Sequence, residues 1–256
     1  MAPPRDRTAW LKGGDSHCVD HGTLPERPYR LLLLGPPGSG KGTQAEMITH
    51  RLGTCHLSTG DVFRFAKRAG ANSPVMREAL EAMQRGDLVT DETVTDIVRD
   101  RSQCMMCAHG FLLDGYPRTQ SQAQALDGFL HELGARIDAA LFLRVDDRLL
   151  IDRLTGRRSC PACGAIYHTI FNPSKAGDQC DACGGALVQR GDDRLEAVTR
   201  RLEIWRETEA MLFAHYSAAG LAVEVPAEGP PVEVFASLER ALAEHLAARD
   251  GAAATH

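Results

Sequence analysis

The sequence predicts an α/β fold built on a five-stranded parallel sheet with helices on both faces, and three observations predict it. Short apolar runs alternate with amphipathic helical patterns along most of the 256 residues. Those runs are nearly continuous rather than alternating in and out, as strands buried on both faces are. A glycine-rich stretch, Gly35-Pro-Pro-Gly-Ser-Gly-Lys41-Gly-Thr43, joins the first run to the first helical pattern. Composition agrees: 43% hydrophobic and 25% charged residues can bury a sizeable core, and no apolar run is long enough to span a bilayer. A net charge of -5 argues against a surface built to hold nucleic acid, so any anion site must be local.

Taken in order, the strands are expected at 30–34, 55–57, 111–114, 139–145 and 221–225. Residues 44–52 carry Ala45, Ile48 and Leu52 on one face and stop at Gly53. Three helices follow the second strand, opened by Thr59, Ser73 and Thr90, with Gly70 and Gly86 ending the first two. That is more helix than a crossover needs, so 58–89 reads as a small subdomain above the carboxyl end of the sheet. Thr119-x-x-Gln122 opens another helix with Gly134 at its end, and Asp146 caps one that Gly156 stops.

A second excursion spans 156–193, after which Leu195, Val198, Leu202, Trp205, Leu212 and Tyr216 mark a long amphipathic helix. The last strand and a helix started by Pro231 finish the fold. Residues 1–28 lack an apolar signal segment and carry four acids, so they read as a flexible extension rather than a targeting peptide. The tail 247–256 is expected to fray. The core is therefore expected to comprise 29–57, 90–155 and 194–246.

The glycine-rich stretch has the spacing GxxxxGK, a P-loop. A strand, a tight turn and a helix N-terminus aim backbone N–H groups at one small volume, where an anion fits. Gly35, Gly38 and Gly40 allow the close approach, and Lys41 adds a charge for outer phosphates. Only Lys12, Lys41, Lys67 and Lys175 are lysine, which makes a lysine inside the loop conspicuous. The hydroxyl that usually follows the lysine comes one residue later, on Thr43, after Gly42. Further on, Asp114 ends a buried strand and Arg118 follows four residues later. An acid there can orient magnesium, and an arginine can bridge transferring phosphates; a turn cap and a solvated arginine are the structural alternative.

Of the eight cysteines, Cys160, Cys163, Cys180 and Cys183 form C-x2-C-x16-C-x2-C, a closed tetrahedral Zn²⁺ pattern with a structural role. A thiolate site beside the isolated Cys18 and Cys55 fits a reducing compartment, hence the cytoplasm. Cys104-x2-Cys107 reads as packed or redox-passive, and no histidine, His56 and His168 included, has ligand spacing.

Together, GPPGSGKGTQ at 35–44, LSTGDVFR at 57–64, GDLVTDE at 86–92, GFLLDGYPRT at 110–119, DRLTGRR at 152–158, IYHTIFNPS at 166–174 and RGDD at 190–193 resemble the adenylate kinases, specifically the long form with a zinc-bearing lid. The resemblance spans about 30–246 and accounts for the Gly42-Thr43 ending. It implies a P-loop kinase core, a monophosphate-binding subdomain at 58–89 and a lid at 156–193. It implies an ATP site at Gly35, Gly38, Ser39, Gly40, Lys41, Gly42, Thr43, Arg153 and Arg157. It places AMP at Thr59, Gly60, Arg64, Val89, Gly115, Arg118, Gln122, Arg190 and Arg201.

The catalytic set it implies is Lys41, Asp114, Arg118, Arg157, Arg190 and Arg201, with Asp192 and Asp193 as lid-hinge acids. The implied reaction is ATP + AMP to two ADP with Mg²⁺, and a monomer is expected. Gln122 has a second reading as the third residue of a capping box, and Arg64 and Arg201 as surface or ion-paired residues. Two other functions stay open: a sibling monophosphate kinase or GTP-using variant, and a non-catalytic P-loop protein whose zinc ribbon holds a macromolecule.

Overall fold

A computed structural model describes residues 6–18, 24–25, 27–70, 74–85 and 89–253. The chain runs α1 (Thr8–Lys12), β1 (Tyr29–Leu34), α2 (Lys41–Leu52), β2 (Cys55–Ser58), α3 (Thr59–Ala69), α4 (Pro74–Arg85), α5 (Asp91–Arg99), α6 (Ser102–Met105), β3 (Gly110–Asp114), α7 (Gln120–Glu132), β4 (Ala139–Arg144) and α8 (Asp147–Thr155). It continues through β5 (Arg157–Ser159), β6 (Ile166–His168), α9 (Leu195–Ala218), β7 (Ala222–Pro226) and α10 (Pro231–Ala253).

Five strands form one parallel sheet in the order β2-β3-β1-β4-β7. Along β1 the pleat sends Leu32 and Leu34 into one core and Leu31 and Leu33 into the other, which is why the run is apolar throughout. The first core takes α3, α5, α7 and α9, through residues such as Val62, Ile97, Leu126 and Leu212. The second takes α2 and α10, through Ala45, Ile48, Val234 and Leu238. The crossovers lead to opposite sides of β1, with β2 and β3 on one and β4 and β7 on the other, so the loops after β1 and β3 open at the carboxyl edge, where α/β sheets hold ligands.

Capping follows the sequence with one shift. Thr90, Thr119 and Asp146 cap α5, α7 and α8 through their side chains. For α3 the cap is Ser58 rather than Thr59: its hydroxyl accepts from Asp61 N, and Thr59 is the first helical residue. Ser73 and Gly86, expected to start and stop helices, lie outside the described residues. Gly134, with φ +66°, donates to His131 O while Ala135 N donates to Leu130 O, so it closes α7 just beyond Leu133.

Three expectations need correction. The stretch 1–28 is not uniformly flexible, because Trp10 in α1 is 1% exposed and donates from Nε1 to Ser58 O at 2.9 Å. The tail does not fray from residue 247: α10 continues to Ala253, and Arg249 donates to Asp138 O at 2.5 Å. Leu195, expected on the buried stripe of α9, is exposed, while Val198, Leu202, Leu212 and Tyr216 are buried. The helix begins at Leu195, beyond the reach of the α8 partners that cover Val198 and Leu202. Cys104 is buried, which pushes its thiol up to about 12, and Cys107 Sγ lies 3.9 Å from Cys55 Sγ.

Candidate active site

The loop after β1 is shaped by backbone that a side chain would obstruct. A Cβ on Gly38, at φ +84°, would lie 2.9 Å from Leu154, and one on Gly35 would press on Ser39 Oγ and Leu143. Gly40 begins α2 in a left-handed conformation, without a side-chain cap and with no acid in the first turn. The leading N–H groups of α2 are therefore not engaged by a capping side chain, unlike those of α3, α5, α7 and α8. Lys41 folds its ammonium onto the carbonyls of Gly35 and Pro36 at 2.7 and 2.8 Å. Burial pulls its pKa down to about 8; Asp114 opposes that, while Arg118, Arg201 and Arg157 add to it. Ser39 Oγ is buried with no partner among the described residues, and Gly42 and Thr43 continue into the first turn of α2.

Register brings the next groups alongside. Leu33 in β1 pairs with Asp114 at the end of β3, which in turn pairs with Ser58 in β2. Burial raises the Asp114 pKa, but a hydrogen bond from His56 and the charges of Lys41 and Arg118 outweigh it and hold the carboxyl below its usual range. His56 went unassigned in the sequence reading, yet its Nε2 lies 3.4 Å from Asp114 Oδ2. Arg7 Nη1 lies 3.3 Å from His56 Nδ1. A guanidinium can only donate, so Nδ1 accepts and Nε2 carries the proton that faces Asp114. No local spacing marks His56; only the β2–β3 register brings it to the acid.

Around that point the residues expected for AMP gather on β2, α3 and the loop after β3. Thr59 is buried, with Oγ1 3.4 Å from Asp114 O. Gly115 is held at φ +84°, and a Cβ there would lie 2.8 Å from Thr59 Oγ1. A Cβ on Gly60 would meet the Arg64 guanidinium at 3.0 Å. Arg64 bonds Asp61 Oδ1 through Nη2 at 2.6 Å and Nε at 3.2 Å. Val89 is half-buried against the first core. Arg118 is exposed and donates from Nε to Gly115 O at 2.8 Å.

Gln122 is buried and closes the helix start in altered form. Its backbone N–H donates to Thr119 Oγ1, but its side-chain Oε1 accepts from Arg118 N at 2.8 Å rather than from Thr119 N. Its Nε2 donates to Asp91 Oδ1 at 2.7 Å, so one amide hydrogen and one lone pair remain. Asp91 also takes the hydroxyls of Thr119 and Ser121, a role the sequence did not announce.

The other arginines stand on the far side of the loop. Arg153 donates to Ala227 O and Glu228 O, both at 3.1 Å, which fixes it against the loop after β7. Arg157 forms a two-pronged pair with Asp193, Nε to Oδ2 at 2.8 Å and Nη2 to Oδ1 at 2.5 Å, and Asp193 is wholly buried. Arg201 bonds Asp192 through its carbonyl and carboxylate at 2.9 and 3.0 Å, with Asp193 Oδ1 at 3.9 Å. Arg190 donates to Ser159 Oγ at 3.2 Å, and burial lowers its pKa.

Beyond these ion pairs, the excursion is a small β-hairpin, β5 against β6, with two cysteine knuckles. Each knuckle closes alike: Cys160 N donates to Ala165 O and Gly164 N to Cys160 O, as Cys180 N does to Gly185 O and Gly184 N to Cys180 O. The four Sγ atoms lie within 4.8 Å of one another, with Cys160–Cys183 at 3.4 Å and Cys163–Cys180 at 3.5 Å. Zn–S bonds of ~2.3 Å arranged tetrahedrally place sulfurs ~3.8 Å apart, so the donor set fits one metal ion. The Tyr167 hydroxyl, 3.5 Å away, leads the groups that hold the Cys180 thiol down at about 6. His168, also unassigned from sequence, ties the hairpin to α8. Its Nδ1 accepts from Ile170 and Phe171 N–H, and its Nε2 donates to Asp152 O at 3.1 Å. Any Cβ on Gly156 would collide with that ring.

A phosphate-cradling loop on a five-stranded parallel sheet, overhung by a helical excursion and a four-cysteine hairpin, defines the class of P-loop nucleotide kinases. Comparison with known proteins names the family. A family model described as adenylate kinase matches residues 33–221. The chain is 48% identical over 213 residues to the adenylate kinase of Carboxydothermus hydrogenoformans, covering 83% of this chain and 99% of the relative. It is 46% identical over 212 residues to that of Syntrophomonas wolfei, covering 83% and 98%. The adenylate kinase of a Geobacillus strain is likewise 46% identical over 212 residues, covering 83% and 97%. This chain belongs to the adenylate kinase family, a family of phosphotransferases.

Proposed function

We propose that this chain transfers the γ-phosphoryl group of ATP to AMP, reversibly, giving two ADP. The observation that carries the reading is the uncapped, glycine-shaped start of α2 beside Lys41 and Asp114, with arginines converging from α8, β5 and α9 on one side and from α3 and the β3–α7 loop on the other. In this reading residues 29–57, 90–155 and 194–246 form the core, 58–89 the monophosphate-binding subdomain and 156–193 the lid.

Gly35 to Thr43 cradle the ATP phosphates, and Lys41 leaves its own loop carbonyls to neutralise the outer ones. Arg153 borders the adenosine, and Arg157 carries charge from the lid. Thr59, Gly60, Val89, Gly115 and the remaining amide edge of Gln122 line AMP, while Arg64 and Arg118 hold its phosphate and Arg190 and Arg201 close over both phosphates. An AMP phosphate oxygen attacks Pγ in line as the bond to the β-phosphate bridging oxygen breaks, so ADP leaves with that oxygen. No base is needed, since the attacking phosphate is already ionised.

Asp114, kept ionised, is the acid placed to orient Mg²⁺, which supplies charge neutralisation on the ATP phosphates when bound. Cys160, Cys163, Cys180 and Cys183 would hold Zn²⁺ as the lid's structural centre. Four thiols gathered as candidate metal ligands suit a reducing compartment such as the cytoplasm, and we take the working form to be a monomer. No helix is long and apolar enough to cross a membrane among the described residues.

The test is to give zinc-loaded protein MgATP with each nucleoside monophosphate in turn and to follow the diphosphates, repeating with MgGTP as donor. ADP from AMP is expected, and its absence would remove this reading. Lys41→Ala should lose about 10²- to 10³-fold in transfer rate with little change in melting temperature, since the bonds it gives up are to its own loop.

A further inference from the structure

The segment from Asp6 to Cys18 lies ahead of residue 33, where the family match begins, yet it is built into the α3 side of the site. Trp10 is the anchor: its indole donates to Ser58 O at 2.9 Å, at the residue that caps α3. Trp10 O in turn accepts from Arg101 Nε at 2.7 Å. Arg101 is 3% exposed and is held by Ile97 O at 2.8 Å. This fixes where Arg7 can reach. Its Nη1 meets Asp61 Oδ2 at 3.0 Å and His56 on the other side.

Asp61 thus has two arginines, one for each oxygen. Arg7 takes Oδ2 and Arg64 takes Oδ1. They are not equivalent. Arg64 is half exposed with its guanidinium over Gly60, whereas Arg7 is more enclosed and lies three residues from the docked Trp10. For Arg64 to reach a phosphate it must release Asp61, a partly buried carboxylate that is costly to leave unpaired. With Arg7 in place, Asp61 keeps a cation when Arg64 departs.

We propose that Arg7 is a positioning residue for AMP: by pairing Asp61 it frees Arg64 to grip the monophosphate. This rests on the reading of Arg64 as an AMP-phosphate ligand. The segment before the family core is then part of the acceptor site, acting through Asp61 without touching the nucleotide.

The experiment compares full-length, zinc-loaded wild type with Arg7→Ala, Arg7→Lys, Asp61→Asn and the Arg7→Ala/Asp61→Asn double variant. Arg7→Ala should raise the KM for AMP about three- to fivefold, the upper range for one partly exposed charge pair, with kcat and the KM for MgATP within about 1.5-fold. Arg7→Lys should restore most of the loss. The double variant separates release from simple propping: with no carboxylate to retain Arg64, its KM for AMP should return to within about twofold of the Asp61→Asn protein. An unchanged KM for AMP in Arg7→Ala, an equal rise for MgATP, or a double variant as weak as Arg7→Ala would overturn the proposal. AMP affinity from equilibrium titration gives the same comparison without turnover. A wild-type chain that made no ADP would therefore remove the functional reading and still leave the Arg7 comparison readable.

Discussion

The two excursions from the sheet are held by opposite means. The helices α3 and α4 send Val62, Ala66, Met76 and Ala79 into the same apolar cluster that packs one face of the sheet. The hairpin excursion at 157–193 buries only Ser159, Cys160, His168, Cys180 and Asp193, and it leaves Ile166, Ile170, Phe171 and Val188 exposed. One borrows the core of the domain; the other has no apolar core among its residues and is held by turns, four clustered cysteines and the Arg157–Asp193 ion pair at its base. An insertion of that size cannot bury enough surface to order itself by hydrophobic burial alone, and a metal ion on the four gathered thiols would supply the missing anchor.

The largest effect should come from removing the metal centre. Cys180→Ser, or chelation, should abolish most transfer and lower the melting temperature, while far-UV circular dichroism shows the helices of the core retained. A variant that kept stoichiometric zinc and its melting temperature would erase the contrast between the excursions. Met76→Ala should cost the helical excursion about 2–5 kcal/mol by opening a cavity in the shared core, measured by urea unfolding, with zinc content untouched. A loss of zinc instead would mean the excursions depend on each other.

A third measurement asks whether both excursions shelter Lys41. In the free enzyme its ammonium is poised at about 8, lowered by burial, so the charged form is lost as pH rises through that value. Accordingly kcat/KM for MgATP should fall about tenfold per pH unit above about 8. The kcat profile, taken with phosphates beside the lysine and the site closed, should hold to higher pH. Coincident profiles would mean that closure does not change the lysine's surroundings. The smallest effect is expected at a helix start: Thr90→Ala removes the hydroxyl that accepts from Thr93 N, and should cost about 1 kcal/mol without altering KM for MgATP.

Legibility followed the range of the interaction. The P-loop, the five strands, most caps and the cysteine spacing are all local, because each requires particular residues within a few positions of one another. Ser58 displaced Thr59 as a cap because both residues can serve and only the path of the chain chooses. The docking of α1 was not legible: the short apolar run Ala9–Leu11 carries no period, and the value of Trp10 comes from its place beside Ser58 and Arg101. His56, Asp61 and Asp91 were missed for the same reason, their partners lying on other elements or in another segment.

By itself the sequence determined that this chain makes a parallel α/β sheet, turns through a glycine-shaped loop after its first strand, and gathers four cysteines in one of two excursions. Those follow from backbone sterics, side-chain period and ligand spacing, which act over short stretches of chain. Only the tertiary structure decided that the extension packs on α3, that Arg7 and Arg64 share Asp61, and that His56 faces Asp114. Such pairings depend on register and on which surfaces meet, and no local rule of the chain contains them.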